Sequence, residues 1–389
     1  MTELTTPATK RRATFQWRGI AITVAAFVLA LLVGAILMIV SDTEVAGQFA
    51  YLFTAPALPL GAAWAKVSSA YAALAVGALG SPAALAATTR EAAPLICAGL
   101  GVGLGFRAGL FNIGAQGQAI VGAILAAWVG FALQLPPVLH VIVALLAGLL
   151  GGALWGGIVG YLKAKTGAHE VIVTIMFNYI AVGILAWLLT TPAFLRPGRQ
   201  DPISPEVHPT STFPGIFGQL HVGFLVALLA AFGTWWLIER STIGFTIRAV
   251  GANPNAAGTA GMDVARTTII TMAIAGMLAG LAGVQVAIGP AANGVPTPLS
   301  QGIVGSVGFD AITVALLGRS RPLGIVFAGL LFGGLHAGGL SMQSIAGTPL
   351  TLSMVLQALI VLFVAAPGLV RTLVPFLRER RAVVAGGQA

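Results

Sequence analysis

Charge is what this sequence has least of. Only 8% of its 389 residues are Asp, Glu, Lys or Arg, against 57% hydrophobic residues and a mean hydropathy of +0.95. That leaves too little polar surface to solvate a globule of this length, so a water-soluble domain is excluded and lipid is the natural solvent. Cysteine is nearly absent: Cys97 stands alone inside an apolar stretch. Neither a disulfide framework nor a cysteine metal site can form, and Cys97 reads as a small packed hydrophobe. None of the four lysines, Lys10, Lys66, Lys163 and Lys165, completes a G-x-x-x-x-G-K-[ST] loop, so the chain has no P-loop of its own. H-E-x-x-H, G-x-S-x-G and paired carboxylates on one apolar segment are also missing, and His140, His169, His208, His221 and His336 are scattered without ligand spacing. A membrane-embedded enzyme would need such clusters; no catalytic residue, cofactor or metal is expected.

What is abundant agrees with lipid. The 51 glycines would break up a soluble helical protein, but in membranes small residues let helices approach closely. The net charge of +9 sits mostly in short loops between apolar runs, which points to orientation in a bilayer and not to nucleic acid. Lys10, Arg11, Arg12 and Arg18 precede the apolar run from Ile20 to Val40. That run exceeds the ~7–15 residues of a signal core and matches a retained first span.

Ten runs are long enough to span, counting shorter broken ones: 20–40, 92–108, 112–133, 138–162, 171–191, 222–238, 267–288, 303–318, 323–341 and 351–370. The expected fold is all-α, a polytopic transmembrane bundle of about ten spans with both termini inside. It divides into an N-terminal tail (1–19), a transmembrane domain (20–370) holding an internal loop at 239–266, and a C-terminal tail (371–389). This places 16 of the 20 basic residues inside, leaving Lys66, Arg90, Arg196 and Arg199 outside, as the positive-inside rule requires. Seven glycines from Gly99 to Gly117 allow re-entrant half-helices between the second and third runs. Two polar stretches lie outside: Ser41 to Glu91, whose apolar piece Ser68 to Thr88 would lie on the membrane or pack on the bundle, and the proline-rich Thr191 to Gly218, an extended loop.

Four segments carry candidate chemistry. Asn112, Gln116 and Gln118 sit among glycines between two apolar runs; they either hydrogen-bond a polar solute at a helix break or cap helix ends in a tight turn. Glu170, Thr174 and Asn178 recur every four residues, so one helix face carries a polar stripe. It lines a solute path or is satisfied by loop and neighbouring helices. Asp310, after Phe309, is the acidic residue placed well within an apolar run; it must face the bundle interior, as a site or as a structural partner of helix amides or Arg319. In the loop 239–266, Asn253 can cap a short helix with Pro254 at its first position and Gly258 or Gly261 at its end. Its small residues, Ala256 and Ala257 among them, could meet a partner's groove; the alternative is a solvated connector.

The blocks GLFNIGAQGQ, HEVIVTIMFNYI, GFTIRAVGANPNAAGTAGM and GFDAITVALLGRSRPLGIVFAGLLFG resemble, in this order, the permease subunits of bacterial nucleoside-type ABC importers, within the larger sugar and branched-chain amino-acid permease superfamily. The resemblance covers about Ala92 to Gly368. It implies nucleoside uptake across the bacterial cell membrane, driven by a separate ATPase subunit, with a second permease subunit and an extracytoplasmic solute-binding lipoprotein as partners. It implies a coupling region from Arg248 to Met262, with Arg248, Gly251, Asn253, Ala256, Ala257 and Gly261 meeting the ATPase. Asn112, Gln116, Gln118, Asn178, Phe309 and Asp310 are then the expected solute contacts. Gln116 departs from the family pattern, which reads Glu there; a neutral amide still binds hydroxyl or base groups. A simple sugar such as a pentose is the nearest rival substrate and branched-chain amino acids come third. A stand-alone secondary transporter using Asp310 or Glu170 as a proton relay is the rival mechanism.

Overall fold

The computed structural model describes residues 17–374. The clusters Lys10, Arg11 and Arg12, and Arg378, Arg380 and Arg381, lie outside the described residues. The elements are α1 (Trp17–Ser41), α2 (Thr43–Gln48), α3 (Ala57–Leu79), α4 (Pro82–Arg107), α5 (Ala115–Ala132), α6 (Pro137–Thr166), α7 (Glu170–Leu188), a hairpin of β1 (Gly215–Phe217) and β2 (Leu220–His221), α8 (Val222–Arg240), α9 (Thr242–Ala252), α10 (Pro254–Thr259), α11 (Val264–Ile288), α12 (Val307–Leu317), α13 (Pro322–Ala346), α14 (Leu350–Ala365) and α15 (Pro367–Leu373). Eight of them, α1, α3, α5 to α8, α11 and α13, are long and apolar enough to cross a bilayer. This is the polytopic helical bundle that the composition demanded.

Local chemistry sets the ends. Ser81 accepts from Ala84 N ahead of Pro82, Ser241 from Gly244 N, and Asp263 from Arg266 N, each satisfying an amide that the helix cannot. Gly167 and Gly347, at φ +69° and +58°, close α6 and α13 in the left-handed conformation.

The centre is built on missing side chains. On α6, Gly148, Gly152, Gly156 and Gly160 fall at four-residue intervals and meet Met272, Gly276 and Gly280 of α11. A Cβ on Gly280 would stand 2.9 Å from Gly152 Cα, and one on Gly160 would stand 3.0 Å from Ile269 Cα. The two backbones touch, and α5 joins them where Gly122 faces Gly280. Such small-residue faces replace the hydrophobic driving force that lipid cannot supply. α4, from Ala92 to Gly105, is buried except at the half-buried Pro94.

Three expectations need correction. The stretch 41–91 is helical: α2, α3 and the first third of α4 occupy it, and the apolar helix is Ala57–Leu79, not 68–88. Lys66 pairs with Asp42 at 2.8 Å and donates to the Ala346 carbonyl at 3.1 Å, while Thr88 donates to the Ala78 carbonyl at 2.8 Å. α3 therefore packs on the bundle, along the last turns of α13. Second, α4 starts ten residues before the expected 92 and is unbroken to Arg107. Third, the expected span 303–318 contains only α12, of 11 residues, which at 1.5 Å per residue is about 16 Å and half a bilayer core. The half-helix lies here, after an irregular stretch from Gly289, and not among the glycines before Gly117.

Candidate functional site

Two helix starts meet inside the bundle, those of α5 and α12. A helix start leaves its first amide hydrogens without partners, and here side-chain amides from neighbouring elements take them. Gln116 Oε1 accepts from Gly308 N of α12 at 2.8 Å, and Gln116 Nε2 donates to the Gly305 carbonyl at 2.7 Å. Asn178 of α7 accepts from Gly117 N at 2.8 Å and donates to the Ile113 carbonyl at 3.0 Å. Asn112 and Gln118 bond each other, Nδ2 to Oε1 at 3.1 Å and Nε2 to Oδ1 at 3.3 Å, while Asn112 Oδ1 also accepts from Gly114 N at 2.9 Å. All four amides are buried. They pin the broken backbone, as the capping alternative anticipated.

The stripe on α7 resolves the same way. Lys163 pairs with Glu170 at 2.6 Å across the α6–α7 turn, and Thr174, fully buried, donates to the Val171 carbonyl and packs on Gly114. What stays open beside the junction is Phe309, 49% exposed, and Phe111, 42% exposed. Asp310 accepts from Ser306 Oγ at 2.7 Å; it does not pair with Arg319. His336 of α13, its side chain 53% exposed, lies 4.0 Å from Glu91 of α4 and within Coulomb reach of Asp310. Glu91 also receives Arg90. Glu91 and His336 thus lie well inside α4 and α13, on the surface that meets the first turn of α12 with Asp310.

At the end of the bundle that carries α9 and α10, Asn253 caps α10 by accepting from Ala256 N at 3.1 Å, with Pro254 first in the helix. Gly261, at φ +85°, turns the chain into α11. Asn253, Ala256 and Gly261 face outward, but Ala257, 4% exposed, packs into its own chain. Gly251 lies on the backbone of Arg107 and Ala108. Arg248 keeps a buried Nη1 with no hydrogen-bond partner among the described residues. A cavity of about 400 Å³ opens between α9 and α11, lined by Thr242, Thr246, Gly261, Asp263 and Arg266.

Residues 84–365 match the family of branched-chain amino acid transport system permease components. The chain belongs to that family. The permease is 38% identical to the guanosine ABC transporter permease protein NupP of Bacillus subtilis, over 82% of this chain and 91% of the relative. It is 33% identical to the nucleoside ABC transporter permease protein NupB of Lactococcus lactis, over 77% and 84%, and 32% identical to the glucose ABC transporter permease protein TsgB13 of Haloferax volcanii, over 76% and 79%. No solved structure matches it. It is a multi-pass membrane protein, a permease of the ABC importer kind, which is not itself an enzyme and works with ATPase and solute-binding partners.

Sequence reasoning missed two features of this permease. Glu91 and His336 are 245 residues apart, and nothing local ties them. The bond from Arg107 to the α12–α13 turn, Nε to the Ser320 carbonyl at 3.1 Å, joins residues 213 apart; its one sequence sign is a lone arginine at a helix end.

Proposed function

We propose that the permease imports nucleosides across the cell membrane by alternating access, with a second permease closing the path and ATP consumed on a separate subunit. The observation that carries this reading is the α5–α12 junction. A half-helix start tied to a second helix start, beside an open aromatic ring and a carboxylate, gives a nucleoside a π-face and an acceptor for its N–H and O–H groups. Polar Glu91, His336 and Asp310 on the same surface are costly against lipid, so that surface faces the aqueous path. Phe309 and Asp310 are the proposed solute contacts; Asn112, Gln116, Gln118 and Asn178 position the backbone around them.

The end carrying α9 and α10 is the inner one in this reading. The last turns of α4, α6 and α8, with Arg107, Lys163 and Arg240, lie at that end, while the proline-rich segment covers the opposite ends of α5 and α11, with His208 N on the Gly130 carbonyl and Phe213 N on that of Ile288. Arg248, Gly251, Asn253, Ala256, Ala257 and Gly261 form the coupling segment, with Ala256 its contact and the cavity beside α9 its recess for the ATPase. A glucose permease among the relatives favours a simple sugar as the second reading.

The test is reconstitution of this chain with its partner permease, ATPase and binding protein in proteoliposomes loaded with ATP. Uptake of labelled guanosine that needs ATP and resists excess ribose or glucose is expected. Uptake by this chain alone without ATP would establish the secondary-transporter reading instead, and competition by the sugar alone would move the substrate to the sugars.

A further inference from the structure

We infer that Arg107 is a positioning residue that transmits displacement of the α9–α10 segment to the half-helix α12. The inference rests on the coupling reading of that segment. Its first link is backbone on backbone: a Cβ on Gly251 would overlap the Arg107 carbonyl oxygen and stand 2.9 Å from Cα and C of Ala108. From the other side, a Cβ on Gly109, at φ +70°, would stand 3.3 Å from the Gly251 carbonyl oxygen. No flexible side chain cushions this contact, so α9 cannot shift without moving residues 107–109. The second link is the bond from Arg107 Nε to the Ser320 carbonyl, 3.1 Å.

Ser320 belongs to a strained turn. Arg319 and Ser320 stand at φ +53° and +51°, the only residues other than glycine at positive φ among those described, and side chains there are disfavoured. The turn is held by Arg319 N on the Leu316 carbonyl, Ser320 N on that of Ala315 and Arg321 N on that of Gly318, at 2.9, 2.8 and 3.1 Å. It terminates α12, whose other end carries Phe309 and Asp310 and is tied to α5 by Gln116. A push at Gly251 therefore reaches the end of α12 that carries Phe309 and Asp310 through the Arg107–Ser320 hydrogen bond and the short helix, beside the packing of α4 on α12 at Gly99 and Val314. Strain concentrated in the connecting turn suits an element with two arrangements, which transmission requires.

The test uses the full transporter with Arg107→Gln, Arg107→Lys and Ser320→Gly, reading membrane abundance, Tm, ATPase co-purification, and ATP hydrolysis with and without solute-loaded binding protein. Arg107→Gln should keep abundance, Tm, co-purification and basal hydrolysis, yet lose the stimulation by loaded binding protein and at least tenfold in uptake. Arg107→Lys, whose ammonium can still reach the Ser320 carbonyl, should recover part of both. Ser320→Gly, which relieves the turn, should lower stimulation, and adding Arg107→Gln to it should cost little more. A Gln variant with normal stimulation and uptake would overturn the inference, as would losses that track abundance or Tm. The coupling reading fails separately: Ala256→Trp, which touches none of these links, would then leave co-purification with the ATPase intact.

Discussion

One methyl group added at Gly308 should part the two helix starts. Its amide donates to Gln116 Oε1 at 2.8 Å, and a Cβ there would fall onto the backbone N and Cα of Gln116 and within 2.7 Å of its Cβ. Carbon atoms rest at about 3.5–4.0 Å, so α12 in Gly308→Ala must retreat by about 1 Å. That retreat stretches the 2.8 and 2.7 Å bonds of Gln116 past the limit of a useful hydrogen bond. Overpacking costs about 1–3 kcal/mol and the two bonds about 1 kcal/mol each, together about 3–5 kcal/mol borne by the junction. Gln116→Leu removes the bonds without the clash and should cost about 2 kcal/mol, more if Gly308 N is left dry. Gln116→Glu keeps the acceptor for Gly308 N but sets a carboxylate against the Gly305 carbonyl, and should fall between wild type and Leu. The assays are uptake in proteoliposomes and Tm by fluorescence-detected size exclusion. Full uptake and an unchanged Tm in Gly308→Ala would show that the two helix starts are not held as argued.

Two further outcomes follow from other parts of the molecule. His221, which caps α8 by accepting from Gly223 N, has its pKa pushed down from 6.5 to about 4 by burial, with the charge of Arg90 acting in the same direction. Between those values the unfolded chain binds a proton that the folded one refuses, so stability rises with pH across that window and about 3 kcal/mol is lost on acidification through it; His221→Asn, which can still cap, should flatten the Tm profile from pH 6.5 to 4, and an identical profile would refute the assignment. In a Cys97-free background, cysteines placed in 191–218 should label from outside intact cells and those beside Lys163 or Asn253 should not; equal labelling would reverse the proposed orientation.

Much of this was legible, and the failures have physical causes. Apolar length found the long helices because lipid imposes it residue by residue. It misjudged α4 because Thr88, Thr89, Arg90 and Glu91 dilute hydropathy in a helix that the protein buries, although Ser81 followed by Pro82 was a readable start signal. It misjudged α12 because the non-helical residues before Val307 continue an apolar run without forming a helix, and an apolar run alone cannot tell the two apart. At the site, amides among glycines marked the turn between α4 and α5, where capping was one of the two readings open to them. Their partners, Gly308 for Gln116 and Gly117 for Asn178, lie 192 and 61 residues away, and only the packed bundle brings them together. The opposite error affected Ala257: small residues on a short loop helix looked like a docking face, but which side turns inward is decided by α9 and α11.

The glycine seam between α6 and α11 also sets an order on how the molecule can be made. α6 ends at Thr166 and α11 begins at Val264, and at about 5–20 residues per second the ribosome needs roughly 5 to 20 s to supply the intervening chain. Throughout that interval Gly148, Gly152, Gly156 and Gly160 must wait in the membrane without the backbone they fit. A glycine stripe offers acyl chains a shallow channel and little contact area, so nothing nearby binds it strongly enough to block the late arrival. A backbone-to-backbone interface of the permease is thus one that forms after most of its helices are already inserted, and a bulky residue in the stripe would register first as a failure of assembly.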